Sequence, residues 1–165
     1  MKFIKLAGAL GAEVADVRLD QLNGEDLRSL RVGFLEHGVL FVRNQELTSG
    51  AFRDFARSMG DPVPYPFVKG LPDYSEIIEV KKLEHETVNF GGVWHSDTIY
   101  LPEPPKGTML IAREVPAFGG DTLFASQYAA YDALSAPMKR MLEGLGAVSS
   151  SAKALQCEWT PQADS

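Results

Sequence analysis

Trp94-His95-Ser96-Asp97-Thr98-Ile99-Tyr100 is the stretch whose reading decides the rest. It is entered from Phe90-Gly91-Gly92-Val93 as an extended segment, and side chains at i and i+2 of a strand share a face. His95 and Asp97 can therefore offer one imidazole and one carboxylate to a single metal ion. Two histidines and a carboxylate on one face of an octahedron make the facial triad of non-haem iron(II), which leaves three positions open. The pair alone is weak. With three histidines and ten aspartates in 165 residues, a chance His-x-Asp arises with a probability of roughly 18%. On that footing a plain His95–Asp97 hydrogen bond on a half-buried strand is the better reading.

Working outward, the chain reads as short strands, proline and glycine turns, and a few helices. Gly11 to Leu19 alternate as a strand would, with Glu13, Ala15 and Val17 on one face. Asn23 can cap a helix whose apolar positions are Leu27, Leu30, Phe34 and Leu35, ended by Gly38. Val39 to Val42 reads as a buried strand. Thr48 caps a second helix with Phe52, Phe55, Ala56 and Met59 on one face. Three prolines between Pro62 and Pro66 remove three backbone donors and make a loop. Ile77-Ile78-Glu79-Val80 and Thr108-Met109-Leu110-Ile111-Ala112 read as strands, with a second proline loop over Pro102 to Pro105 between them. Gly119-Gly120 forms a turn before Asp121-Thr122-Leu123-Phe124, and Ser126 and Ser135 are helix N-caps. The pattern is mainly β with helices, an α+β arrangement of the sandwich or jelly-roll kind. Ser149 to Ser165 carry no assignable pattern.

Composition narrows the partners. At 45% hydrophobic and 23% charged, the chain is of ordinary globular type and long enough to bury a core. A net charge of −6, without a basic stripe, argues against nucleic acid, whose phosphates need clustered Lys and Arg. A single cysteine, Cys157, allows no internal disulfide and fits a reducing cytoplasm. No run has the length of a signal-peptide core or a membrane span.

The surroundings of His95 and Asp97 change their odds. After Thr98-Ile99-Tyr100 come Pro104-Pro105-Lys106-Gly107-Thr108, Ala112-Arg113-Glu114-Val115-Pro116, Gly119-Gly120-Asp121-Thr122-Leu123-Phe124 and Ala129-Ala130-Tyr131-Asp132-Ala133-Leu134-Ser135. Upstream stands Gly38-Val39-Leu40-Phe41-Val42-Arg43-Asn44-Gln45. This ordered series, from about Gly11 to about Leu145, resembles the taurine dioxygenase family, which includes 2,4-dichlorophenoxyacetate dioxygenase. The resemblance implies a double-stranded β-helix, or jelly roll. It implies an Fe(II)- and 2-oxoglutarate-dependent dioxygenase that hydroxylates a small organic acid with O2, releasing succinate and CO2. His95 and Asp97 would be two iron ligands, and Thr122 would give its hydroxyl to a carboxylate of 2-oxoglutarate. Asp97 favours hydroxylation over halogenation, because the halogenating relatives lose that carboxylate.

The departures are as informative. The family takes its second histidine, and an arginine for the far carboxylate of 2-oxoglutarate, from a late strand with no counterpart after Leu145. His37, at a helix end, and His85, between Glu84 and Glu86, read as surface residues. The chain is therefore expected to be a single, truncated catalytic domain over 1–165, incomplete at its C-terminus, with uncovered apolar faces and a tendency to self-associate into a homo-oligomer. In sulfonate-oxidising members a histidine contacts the sulfonate where Tyr65 stands here. Their asparagine before the metal motif is matched by a shifted Asn89 or replaced by Gly91. Tyr65, Asn89 and Trp94 are the substrate-contact candidates, with core packing an equal reading for Trp94. A sulfonate or an aromatic or aliphatic carboxylate is expected as substrate. The competing readings are a non-catalytic jelly-roll fragment with an incomplete metal site and a metal-free β-sandwich.

Overall fold

The computed structural model describes residues 1–83, 85–87 and 91–151, arranged in two compact units. One unit comprises Met1–Asp61 and Ile111–Leu145; the other comprises Pro62–Leu110 with, among the described residues, 146–151.

The first unit is built on a sheet of β1 (Lys2–Lys5), β2 (Ala12–Ala15) and β3 (Leu40–Phe41), in that order. β1 runs antiparallel to β2, with Lys2 opposite Ala15 and Lys5 opposite Ala12. β2 runs parallel to β3, with Ala12 opposite Leu40. A parallel pair needs a crossover, and α1 (Gly24–His37) provides it. The expected alternation of the second strand is present: Ala12 and Val14 are buried, Glu13 and Ala15 half-buried. It ends at Asp16, whose φ of 57° breaks the extended chain.

Local chemistry sets the helix starts. The Asn23 side chain accepts from Glu25 N at 2.8 Å and Asp26 N at 3.0 Å, while Asp26 Oδ2 accepts from Asn23 N at 3.2 Å. This capping box satisfies donors that the first turn otherwise leaves open. Asn23→Ala is expected to lower stability by about 1 kcal/mol, and Asn23→Ser to recover most of it, as read by thermal melting of the helical circular dichroism. Thr48, Ser126 and Ser135 cap α2 (Ser49–Met59), α3 (Gln127–Asp132) and α4 (Ala136–Leu142), each hydroxyl accepting from the backbone N–H three residues on. Gly38 ends α1 at a φ of 69°.

The buried face of α1 departs from the expected one. Leu30 is 2% exposed, but Leu35 is 80% exposed. Gly33 is buried in its place, since a Cβ there would collide with the Phe3 ring. The segment after β3 is fastened by Gln45, which accepts from Leu19 N at 2.9 Å and donates to the carbonyls of Val17 and Arg43. Arg113 donates to the Leu47 carbonyl at 2.6 Å, so this motif arginine has a structural partner.

Helix outweighs strand among the described residues, so the arrangement is mixed α+β and not mainly β. Neither Ile77–Val80 nor Thr108–Ala112 forms a ladder. Around Ile77 a turn takes the backbone groups: Leu71 N donates to Ile77 O at 2.8 Å and Ile77 N to Tyr74 O at 2.9 Å. Gly70 permits that turn, because a side chain there would collide with the Ser75 carbonyl. Leu110 is 75% exposed; an extended apolar segment without a pairing strand cannot bury its faces. No helix among the described residues is long and apolar enough to cross a membrane.

Candidate metal centre

His95 and Asp97 both lie in the second unit, in a stretch that is not a strand. Thr98 turns the chain directly after Asp97, with a φ of 50° that costs a β-branched residue on the order of 1–3 kcal/mol. Leu101 N closes the turn onto Thr98 O at 3.0 Å. The side chains converge all the same: His95 Nε2 lies 3.0 Å from Asp97 Oδ1. Two donors at right angles on an octahedral ion, each bound at roughly 2.1 Å, stand roughly 3.0 Å apart. Donor types and spacing thus fit two cis ligands of one divalent ion. Each side chain is 49% exposed, so ion and co-substrate can reach the pair.

Each of the two side chains is held from behind. His95 Nδ1 lies 2.7 Å from the Val93 carbonyl; with the proton on Nδ1, that nitrogen donates and the Nε2 lone pair faces Asp97. Thr108 Oγ1 donates to Asp97 Oδ2 at 2.6 Å. Gly91, at a φ of 69°, leaves room for the imidazole, since a Cβ there would stand 3.2 Å from His95 Cε1. A side chain at position 91 would press on the ring. No group of three His, Cys, Asp or Glu that could hold a metal is found among the described residues. His85 is exposed, as expected of a solvated loop residue. His37 packs its ring against Phe3 in the first unit, with centroids 5.9 Å apart.

The remaining candidates divide. Thr122 is exposed in the first unit, after Gly119 and Gly120, whose φ values are 78° and 71°. Trp94 is 70% exposed and is no core residue. Asn89 lies outside the described residues. Tyr65 belongs to an aromatic cluster that the sequence did not reveal: its ring meets Phe67 edge-on at 5.7 Å, and Phe67 meets Tyr100 at 5.9 Å.

The hydroxyls of Tyr100 and Thr98 are shielded from solvent and have no hydrogen-bond partner among the described residues. Desolvation pushes the Tyr100 phenol above the ordinary tyrosine value, with smaller upward contributions from Tyr65 and Asp97. Tyr65 acts here through its proximity, outside hydrogen-bond geometry. A raised value favours the neutral phenol. Its stabilising contribution is full below the ordinary tyrosine pKa of about 10 and is lost as pH rises through the raised value. Of the five tyrosines, Tyr100 is expected to ionise late. Tyr100→Phe should remove a late component from the tyrosinate absorbance titration; an unchanged late limb would refute the assignment.

Comparison with known proteins follows the same lines. Residues 2–163 match the sequence model of the family described as taurine catabolism dioxygenase TauD, TfdA family. An alpha-ketoglutarate-dependent sulfate ester dioxygenase of Pseudomonas putida is 30% identical over 147 residues, which is 88% of this chain and 48% of that enzyme. An (S)-phenoxypropionate/alpha-ketoglutarate-dioxygenase of Sphingobium herbicidovorans is 34% identical over 146 residues, 86% of this chain and 50% of that enzyme. The crystal structure of AAD-2 in complex with Mn(II) and N-oxalylglycine superposes with a TM-score of 0.70 at 27% identity, covering 86% of this chain and 54% of that one. The chain spans about half the length of these relatives.

Proposed function

This chain belongs to the taurine catabolism dioxygenase TauD, TfdA family, and on that premise we propose that it serves an Fe(II)- and 2-oxoglutarate-dependent dioxygenase with a jelly-roll catalytic domain. The observation that carries the proposal is the 3.0 Å approach of His95 Nε2 to Asp97 Oδ1, the spacing of two cis ligands. When bound, iron supplies the redox chemistry by which O2, 2-oxoglutarate and a substrate C–H bond become succinate, CO2 and an alcohol. The protein's residues hold, orient and select. His95 and Asp97 hold the metal, and the Thr122 hydroxyl donates to a carboxylate of 2-oxoglutarate. Tyr65, Asn89 and Trp94 contact the substrate, a small organic acid that is a sulfonate or an aromatic or aliphatic carboxylate. The cytoplasm is the proposed compartment.

A second reading, a non-catalytic module with an incomplete metal site, is favoured by one observation: the described residues offer no group of three metal-ligating side chains. One experiment separates the two. Iron(II) and then 2-oxoglutarate are added without oxygen, and the visible charge-transfer absorption of the chelate is sought. A band supports the enzyme; its absence supports the non-catalytic module.

A further inference from the structure

We propose that Thr108 is a positioning residue that makes Asp97 a one-oxygen metal ligand. The inference rests on the metal-site reading above and adds to it a residue from outside the His-x-Asp motif. The two oxygens of Asp97 are divided between two neighbours. Oδ1 faces His95 Nε2 at 3.0 Å, and Oδ2 accepts the Thr108 hydroxyl at 2.6 Å. A separation of 2.6 Å lies in the short range of hydrogen bonds from a hydroxyl to a charged carboxylate, about 2.5–2.7 Å. Such a bond fixes the carboxylate torsion as well as its place. A carboxylate free to turn can offer both oxygens to one ion and fill two coordination positions. With Oδ2 tied to Thr108, Asp97 offers only Oδ1, and a position that co-substrate or oxygen needs stays open.

The chain is built to deliver this hydroxyl. Thr108 stands 11 residues after Asp97, beyond a loop carrying Pro102, Pro104 and Pro105. Proline fixes φ and so narrows the paths by which that loop can return. Threonine also suits the task chemically: its one O–H is spent on Oδ2, and it carries no charge that would compete for the ion. With the Val93 carbonyl behind His95, both ligands have an outer partner, the arrangement that tunes metal sites generally.

The test is Mn(II) binding to the full chain with 2-oxoglutarate present, followed by electron paramagnetic resonance, for the wild type, Thr108→Val, Thr108→Ala, Thr108→Ser and His95→Ala. Valine keeps the shape of threonine without the hydroxyl, and alanine guards against a packing fault peculiar to valine. Both are expected to weaken Mn(II) binding about 10- to 100-fold. They should also change the line shape of the bound ion as Asp97 turns, whereas serine restores both. Wild-type affinity and line shape in valine and alanine, with binding lost in His95→Ala, would overturn the role of Thr108 and leave the metal site standing. Equal binding by wild type and His95→Ala, or none by wild type, would overturn the metal site and this inference with it.

Discussion

Asp97→Ala is expected to abolish the anaerobic Fe(II)–2-oxoglutarate absorption while leaving the melting curve almost unmoved. The two halves of that result have separate causes. Asp97 supplies the negatively charged member of the proposed ligand pair, and losing a direct ligand should cost more than the 10- to 100-fold typical of an outer partner. Folding, by contrast, depends little on Asp97. Both Asp97 and His95 are 49% exposed, so water can take over from the lost carboxylate. Exposed pairs of this kind contribute at most about 1 kcal/mol. The measurement pairs a visible spectrum with a thermal melt. A band that survives the substitution would remove Asp97 from the metal site. A lost band accompanied by a collapsed melt would make Asp97 a structural residue.

That separation also explains which parts of the molecule were legible in the sequence. Helix starts were, because a cap is a local event: Asn23, Thr48, Ser126 and Ser135 each accept from a backbone N–H three residues on. The meeting of His95 with Asp97 was foreseen, but for an incomplete reason. Strand geometry predicts that i and i+2 share a face; here the chain turns at Thr98, and the two groups converge without a ladder. Thr108 was hidden because its contact spans 11 residues and follows no period. The aromatic cluster was hidden for the same reason, with the Phe67 ring meeting those of both Tyr65 and Tyr100. In α1 a hydrophobic pattern cannot see glycine. Leu35 looked like a core residue and is exposed, while Gly33 is buried because the Phe3 ring occupies the space where its side chain would be.

Leu30→Ala is expected to produce the reverse of the Asp97 result: a large loss of stability. Leu30 sits at 2% exposure on α1, the crossover between β2 and β3. The buried apolar core among the described residues is small, being Ala12, Val14, Leu30 and Leu47. Removing a leucine side chain from such a site loses its transfer free energy and leaves a cavity, together about 2–5 kcal/mol. Domains of ordinary size hold only about 5–15 kcal/mol in all, so one substitution takes a large share. Leu30→Met, which conserves volume, should cost less than about 1.5 kcal/mol and serves as the control. Urea unfolding followed by circular dichroism reads both. A shift in midpoint at constant slope would be a loss of native stability; a changed slope would mean that the unfolded or native ensemble had altered. A Leu30→Ala midpoint equal to that of Leu30→Met would mean that the helix is held by its caps and half-buried face and not by Leu30. In that case Leu47, Ala12 and Val14 would carry the core of this unit.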